Sequence, residues 1–118
     1  MDIAVTRDIG ATVVMTKQFD GSLLVRPTTI MISKGFTATI PLGHVVTVPN
    51  EYEARAKLSS SLYLNGKVKD CSLVIHTDEC DEYCELTGSV KVTAKSDMVL
   101  NSRDVLAVIE FTRKPLHV

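Results

Sequence analysis

Apolar side chains recur at every second position along most of this chain, the spacing of a strand with one buried face. Tyr52, Ala54, Ala56 and Leu58 fall on one side of an extended segment, with Glu53, Arg55 and Lys57 on the other. Phe36, Ala38 and Ile40 share a face in the same way, and Val90 and Val92 point inward within Ser89–Ala94. Ile3–Thr6, Ala11–Thr16, Ser22–Val25, Thr29–Ile32, His44–Val48, Val99–Leu100 and Val105–Phe111 are further predicted strands. Ser72–Ile75 is predicted to be short and buried on both faces. Turn formers punctuate the series: Gly10, Asp20-Gly21, Pro27, Gly35, Pro41 with Gly43, and Pro49-Asn50. Helical periodicity is nearly absent. The pattern predicts an all-β fold, a jelly-roll-like β-sandwich or barrel of short strands, with residues 1–118 as a single β domain.

Composition narrows the function classes. Aromatics are 5% of the 118 residues and Trp is absent, so the core must rest on Val, Ile, Leu and Ala. The net charge is −1, and no basic run exceeds Arg113-Lys114. That charge pattern argues against nucleic acid as a partner, and the few aromatics argue against a stacking platform. No segment approaches the roughly 18 apolar residues of a membrane span. The start is charged from Asp2 and lacks the apolar run of a signal peptide, and three cysteines suit a reducing compartment. A cytoplasmic location is the expectation.

Two stretches carry candidate chemistry. Leu58-Ser59-Ser60-Ser61-Leu62 leads to Asn65-Gly66. Ser60, Ser61 and the amides around Asn65 and Gly66 could hold an anion, as turn amides do. Alternatively the hydroxyls satisfy backbone groups in a tight turn, a reading favoured by the absence of an adjacent cation. The second stretch holds Cys71, His76, Cys80 and Cys84, a donor set for tetrahedral Zn2+. Its spacing matches no common zinc module. Cys71 suits a core position, and Cys80 and Cys84 would share a face if the loop forms a helical turn. The acidic residues Asp78, Glu79, Asp81, Glu82 and Glu85 predict a solvated loop over 77–86, or a partner-binding surface. His44, His76 and His117 have no accompanying nucleophile motif and read as structural.

The order of these pieces over residues 29 to 111 resembles the trimeric dUTP nucleotidohydrolases (dUTPases). Val48-Pro49-Asn50-Glu51-Tyr52-Glu53-Ala54-Arg55 looks like that family's "iP-GYEA" junction, and Ile40-Pro41-Leu42-Gly43-His44 its "VPTG" position. Leu58 to Gly66 looks like the serine motif with its Asn-Gly. Leu73-Val74-Ile75-His76 looks like "GVID", Thr87-Gly88-Ser89 like "RGE", and Ser102 to Ile109 like the "GDRIAQL" strand. The resemblance implies a homotrimer, a dUTP site at subunit junctions and Mg2+ on the triphosphate. His76 stands where it places the catalytic aspartate, Ser59 where it places an arginine, Ser89 the glutamate and Val108 the glutamine. Asp20-Gly21-Ser22-Leu23 is the nearest stretch to the family's Asp-Leu, and its Gly-rich C-terminal arm has no counterpart before Val118.

These departures remove the water-holding carboxylate and a charge-assisted phosphate contact worth roughly 1.5–3 kcal/mol. The expectation is a catalytically degenerate dUTPase-like protein with no cofactor, acting as a homo-oligomeric interaction or assembly module with a protein partner. The resemblance also makes a viral or phage source an expectation, which would place the protein in host cytoplasm or a virion. One alternative is a divergent deoxynucleotide-binding or dUTP-hydrolysing enzyme, which would keep Mg2+ and rebuild a site from Ser60, Asp104 and a carboxylate of the 78–85 stretch. Another is a viral structural or decoration protein.

Overall fold

The computed structural model describes residues 3–64 and 66–115. Eleven strands and one short helix follow in order: β1 (Ala4–Arg7), β2 (Val13–Lys17), β3 (Leu23–Pro27), β4 (Ile30–Ile32), β5 (Thr37–Pro41), β6 (His44–Pro49), β7 (Tyr52–Leu58), α1 (Ser61–Leu64), β8 (Val68–Glu79), β9 (Tyr83–Ala94), β10 (Met98–Leu100) and β11 (Ala107–Arg113). The fold is all-β, and every ladder is antiparallel.

The first sheet is built around β9. β8 pairs with it along its whole length. β5 and β6 share its other edge end to end, and β1 adds outside β6. β5 and β6 are in effect one bent strand. Pro41 faces Ser89 and Val46 faces Leu86, so five steps on one side match three on the other. Two residues between Leu42 and Val46 are extra, a bulge larger than the usual single-residue one. The Leu42 N–H still reaches the Gly88 carbonyl at 2.9 Å. Gly43 takes φ +63, and a Cβ there would meet the Ala11 Cβ at 2.7 Å.

The opposite sheet runs β2-β3-β11-β7, and β4 pairs with β10 in a separate two-stranded ribbon. The ribbon keeps the register of β5 with β9, since Ile32 faces Met98 as Thr37 faces Thr93. A turn at 33–36 joins the two, with the Gly35 N–H on the Ala94 carbonyl at 2.9 Å. Val46, Leu86, Val90 and Val92 from one sheet meet Val13, Val25 and Ile109 from the other, all at 2% exposure or less. Ile32, Met98, Leu62 and Leu106 close the ends of the same cluster. The β7 alternation holds as predicted, half-buried at Tyr52, Ala54, Ala56 and Leu58 and exposed between.

Three sequence expectations are corrected. Ser72–Ile75 is not buried on both faces: it lies within β8, with Ser72 and Val74 exposed. Residues 77–86 do not form a loop: they end β8, turn at 80–82 and begin β9. The alternation of Leu73 and Ile75 carries on into Cys84 and Leu86 across the charges, which sit on the turn and on positions open to water. Phe36 is 68% exposed, because it belongs to the 33–36 turn and precedes β5.

The hairpin of two twelve-residue strands, β8 and β9, makes the molecule long. A 118-residue globule has a radius of gyration of about 13.5 Å, whereas this chain has 15.1 Å and extents of 52 × 29 × 24 Å. Gly88 permits the hairpin's close approach. It faces Ile75, and a Cβ there would sink into the Val74 carbonyl oxygen and lie 3.0 Å from Ile75 Cδ1. Gly88→Ala is therefore expected to lower unfolding free energy by at least about 2 kcal/mol, read from the urea midpoint. An unchanged midpoint would show that β8 can give way.

Candidate functional site

The serine segment turns the chain from β7 into β8. Its backbone is tied to the strand that follows the 101–104 loop, with the Ser59 N–H on the Leu106 carbonyl at 3.0 Å. Ser59 and Ser61 hydroxyls lie 2.7 Å apart, and Ser61 Oγ donates to the Val105 carbonyl at 3.4 Å. The Leu62 N–H meets the Ser59 carbonyl at 3.2 Å and the Tyr63 N–H meets that of Ser60 at 3.1 Å, which closes α1. The structure thus brings Ser60 and Ser61 next to the segment that holds Asp104. Asp104 serves its own loop: Oδ2 accepts the Asn101 N–H at 2.8 Å, while Asn101 Oδ1 accepts the Arg103 N–H at 2.9 Å. Arg26 ties down the same loop through the Ser102 and Arg103 carbonyls at 3.4 and 3.3 Å. Gly66 takes φ +72 and is exposed, and Asn65 lies outside the described residues. The hydroxyls of Ser59 and Ser61 act as turn locks.

The carboxylates of 78–85 are remote from this turn. Glu79 and Thr77 line a groove with Tyr52 and Glu53 at the far end of β7. Six strand steps separate Tyr52 from Leu58, about 20 Å. A site combining Ser60, Asp104 and one of those carboxylates is therefore not assembled in this chain.

The four zinc donors are also dispersed. Cys71 is buried opposite Val92, whereas Cys84 faces Glu79 eight positions away on β9, about 26 Å along the strand. His76 is exposed, five positions from Cys71 on the opposite face of β8. Cys80 sits in the hairpin turn, with its N–H on the Tyr83 carbonyl at 2.8 Å, and no helical turn forms there to align it with Cys84. All three thiols are free, and the described residues hold no group of three or more metal-ligating side chains. His44 is a core residue, 5% exposed, with Nδ1 2.6 Å from the Leu42 carbonyl oxygen. His117 lies outside the described residues. Asp20 locks the β2–β3 turn by accepting Ser22 Oγ at 2.6 Å and its N–H at 2.9 Å, which holds its carboxyl below the usual range.

Sequence reasoning missed Asn50. Its side-chain amide donates to the Asp81 carbonyl at 2.9 Å and the Cys80 carbonyl at 3.4 Å, and its N–H meets the Glu82 carbonyl at 3.2 Å. The acidic hairpin tip is thereby clamped to the β6–β7 turn. The signal was present only as Pro49-Asn50, which reads as a local turn.

The tip also perturbs Tyr83. Hydrogen bonding to the Cys80 side chain, then negative charge at Cys80 and Glu85, then lost hydration raise its hydroxyl above the ordinary 10.0. Tyr63 is raised as well, first by hydrogen bonding to the Cys71 side chain and then by desolvation; its hydroxyl also donates to the Cys71 carbonyl at 3.3 Å. A raised folded value means the folded state holds the proton more tightly. The stability it confers is complete below 10.0 and is lost as pH climbs through the folded value. Cys80→Ala is expected to move the Tyr83 phenolate absorbance titration down toward 10.0 and leave Tyr63 unmoved. No movement would place the cause elsewhere.

No helix among the described residues is long and apolar enough to cross a membrane. Neither a protein-family model nor a curated protein matches this sequence.

Proposed function

We propose that this chain is a homo-oligomeric assembly module, built on a dUTPase-like β scaffold from which the hydrolytic groups have been replaced. The observation that carries the assembly reading is on the β4–β10 ribbon. Met31 and Val99 face each other across it and point outward, 80% and 50% exposed. Phe36, in the turn that leads out of the ribbon, is 68% exposed. Fully burying a side chain of this kind is worth roughly 1.5–3 kcal/mol, and these start half to four-fifths exposed, so covering them gives part of that to association. The loss of hydrolysis is supported by the positions the resemblance singles out. Ser59 and Ser61 bond to each other and to the backbone, and His76 stands exposed on an outer strand face where the family needs a carboxylate. A trimer is the assembly that the resemblance implies, and it suits a surface used by neighbouring copies.

Protein incubated with dUTP and Mg2+ is expected to release no pyrophosphate above a protein-free blank. Sedimentation is expected to show a species heavier than the 12.9 kDa chain. Release at an enzyme-like rate from a 12.9 kDa species would overturn both halves of the proposal.

A further inference from the structure

The long axis of the molecule is charge-polarised. At one end the hairpin tip carries Asp78, Glu79, Asp81 and Glu82, all exposed, with Glu51 in the adjoining turn. Lys114, its N–H on the Glu51 carbonyl at 2.7 Å, and Arg113, opposite Tyr52, are the cations at this end and only partly offset the carboxylates. Asn50 clamps the tip's backbone to the β6–β7 turn. At the other end Lys34, Lys67, Lys69 and Lys95 are exposed together. The Lys95 N–H on the Lys67 carbonyl at 2.7 Å and the Gly35 N–H on the Ala94 carbonyl at 2.9 Å bring those segments side by side. Asp70 and Asp97 only partly offset the four lysines. Nine strand steps along β9 separate Thr93, beside the lysines, from Cys84, beside the tip, roughly 30 Å.

The basic end also has a groove. It has a volume of about 310 Å³ and is lined by Met31, Met98 and Val99 with Lys67 and Asp97. Met31 and Val99 belong to the ribbon face described above, and Lys67 lines the groove. Lys34, next to Ser33 in the chain, and Lys95, bonded to the Lys67 carbonyl, adjoin it. The acidic tip carries a matching side chain, Tyr83, 38% exposed, an amphipathic ring of the kind that anchors interfaces.

From this complementarity we infer that the acidic 78–83 tip of one copy seats in the Met31–Val99 groove, at the lysine-bearing end, of a second copy. The inference rests on the assembly reading and gives that assembly its contact. Two different surfaces meet, so the contact is heterologous: it propagates from copy to copy and closes into a ring when the rotation allows, three copies giving the trimer. Opposite charge brings the surfaces together, and covering Met31 and Val99 holds them.

Charge reversal at each end tests it on the full chain. Lys34→Glu with Lys95→Glu inverts the charge beside the groove, and Asp81→Lys with Glu82→Lys inverts the tip. Wild-type association, followed by sedimentation velocity across protein concentration, is expected to weaken as salt rises from about 0.05 to about 0.5 M. Each reversed variant alone is expected to lose at least about tenfold in association constant. Mixing the two variants restores association, because each inverted end then finds an opposite charge. The reversals lie at opposite ends of the molecule, so if one variant fails to fold by circular dichroism the other still decides. Wild-type protein that self-associates while neither reversal changes its association constant overturns this contact and leaves the assembly reading standing. Wild-type protein that stays monomeric at every concentration overturns both.

Discussion

Both edges of β9 are occupied along nearly its full length, and that double pairing is the constraint from which the rest of the structure follows. A strand flanked on both sides must offer backbone groups to two neighbours at once. On one side β8 comes close enough that only hydrogen fits at position 88. On the other side the Gly88 carbonyl takes the Leu42 N–H, the point where β5 gives way to β6. One glycine therefore sits where the hairpin's tightest contact and the bulge of the neighbouring strand coincide. The extension of the molecule, and the separation of its charged ends, come from the length of this ladder.

Much of the fold was legible because burial on one face imposes a period of two. β7 shows it plainly, and so do Val90 and Val92. The hairpin was hidden by its charges. Asp78, Glu79, Asp81 and Glu82 look like a break in the strand, yet a ladder extends wherever its backbone is paired, whatever the exposed side chains are. Phe36 misled in the opposite direction: an aromatic in phase with Ala38 and Ile40 belongs to the preceding turn, because Gly35 at φ +83 redirects the chain just before it. The helical turn α1 has no periodicity of its own, since it consists of four residues closed by serine backbone groups.

The candidate site was legible only in part, for a related reason. Spacing along the chain cannot say which strand face a residue takes, and one step of parity separates Cys71 from His76. The neighbourhood of Ser60, Ser61 and Asp104 follows from β7 pairing with β11, where Leu58 lies opposite Ala107. Nothing local to either segment announces that pairing. Asn50 is the clearest case, a residue whose ordinary turn identity conceals a bond to a tip 31 positions away. The surface ion pairs Arg55–Glu53 and Lys57–Glu110, at 3.4 and 3.2 Å, are exposed and contribute little.

The two-residue bulge after Leu42 has an arithmetic consequence. Side chains on an extended chain change face with each residue, so an insertion of even length shifts the partner without inverting the surface. Ile40, Leu42, His44, Val46 and Val48 accordingly stay inward across the discontinuity, each at 5% exposure or less. Parity thus explains why a histidine occupies the interior: it inherits a place in an unbroken even-numbered row. Lengthening or shortening this junction by two residues preserves that row, whereas a change of one would turn every residue of β6 inside out.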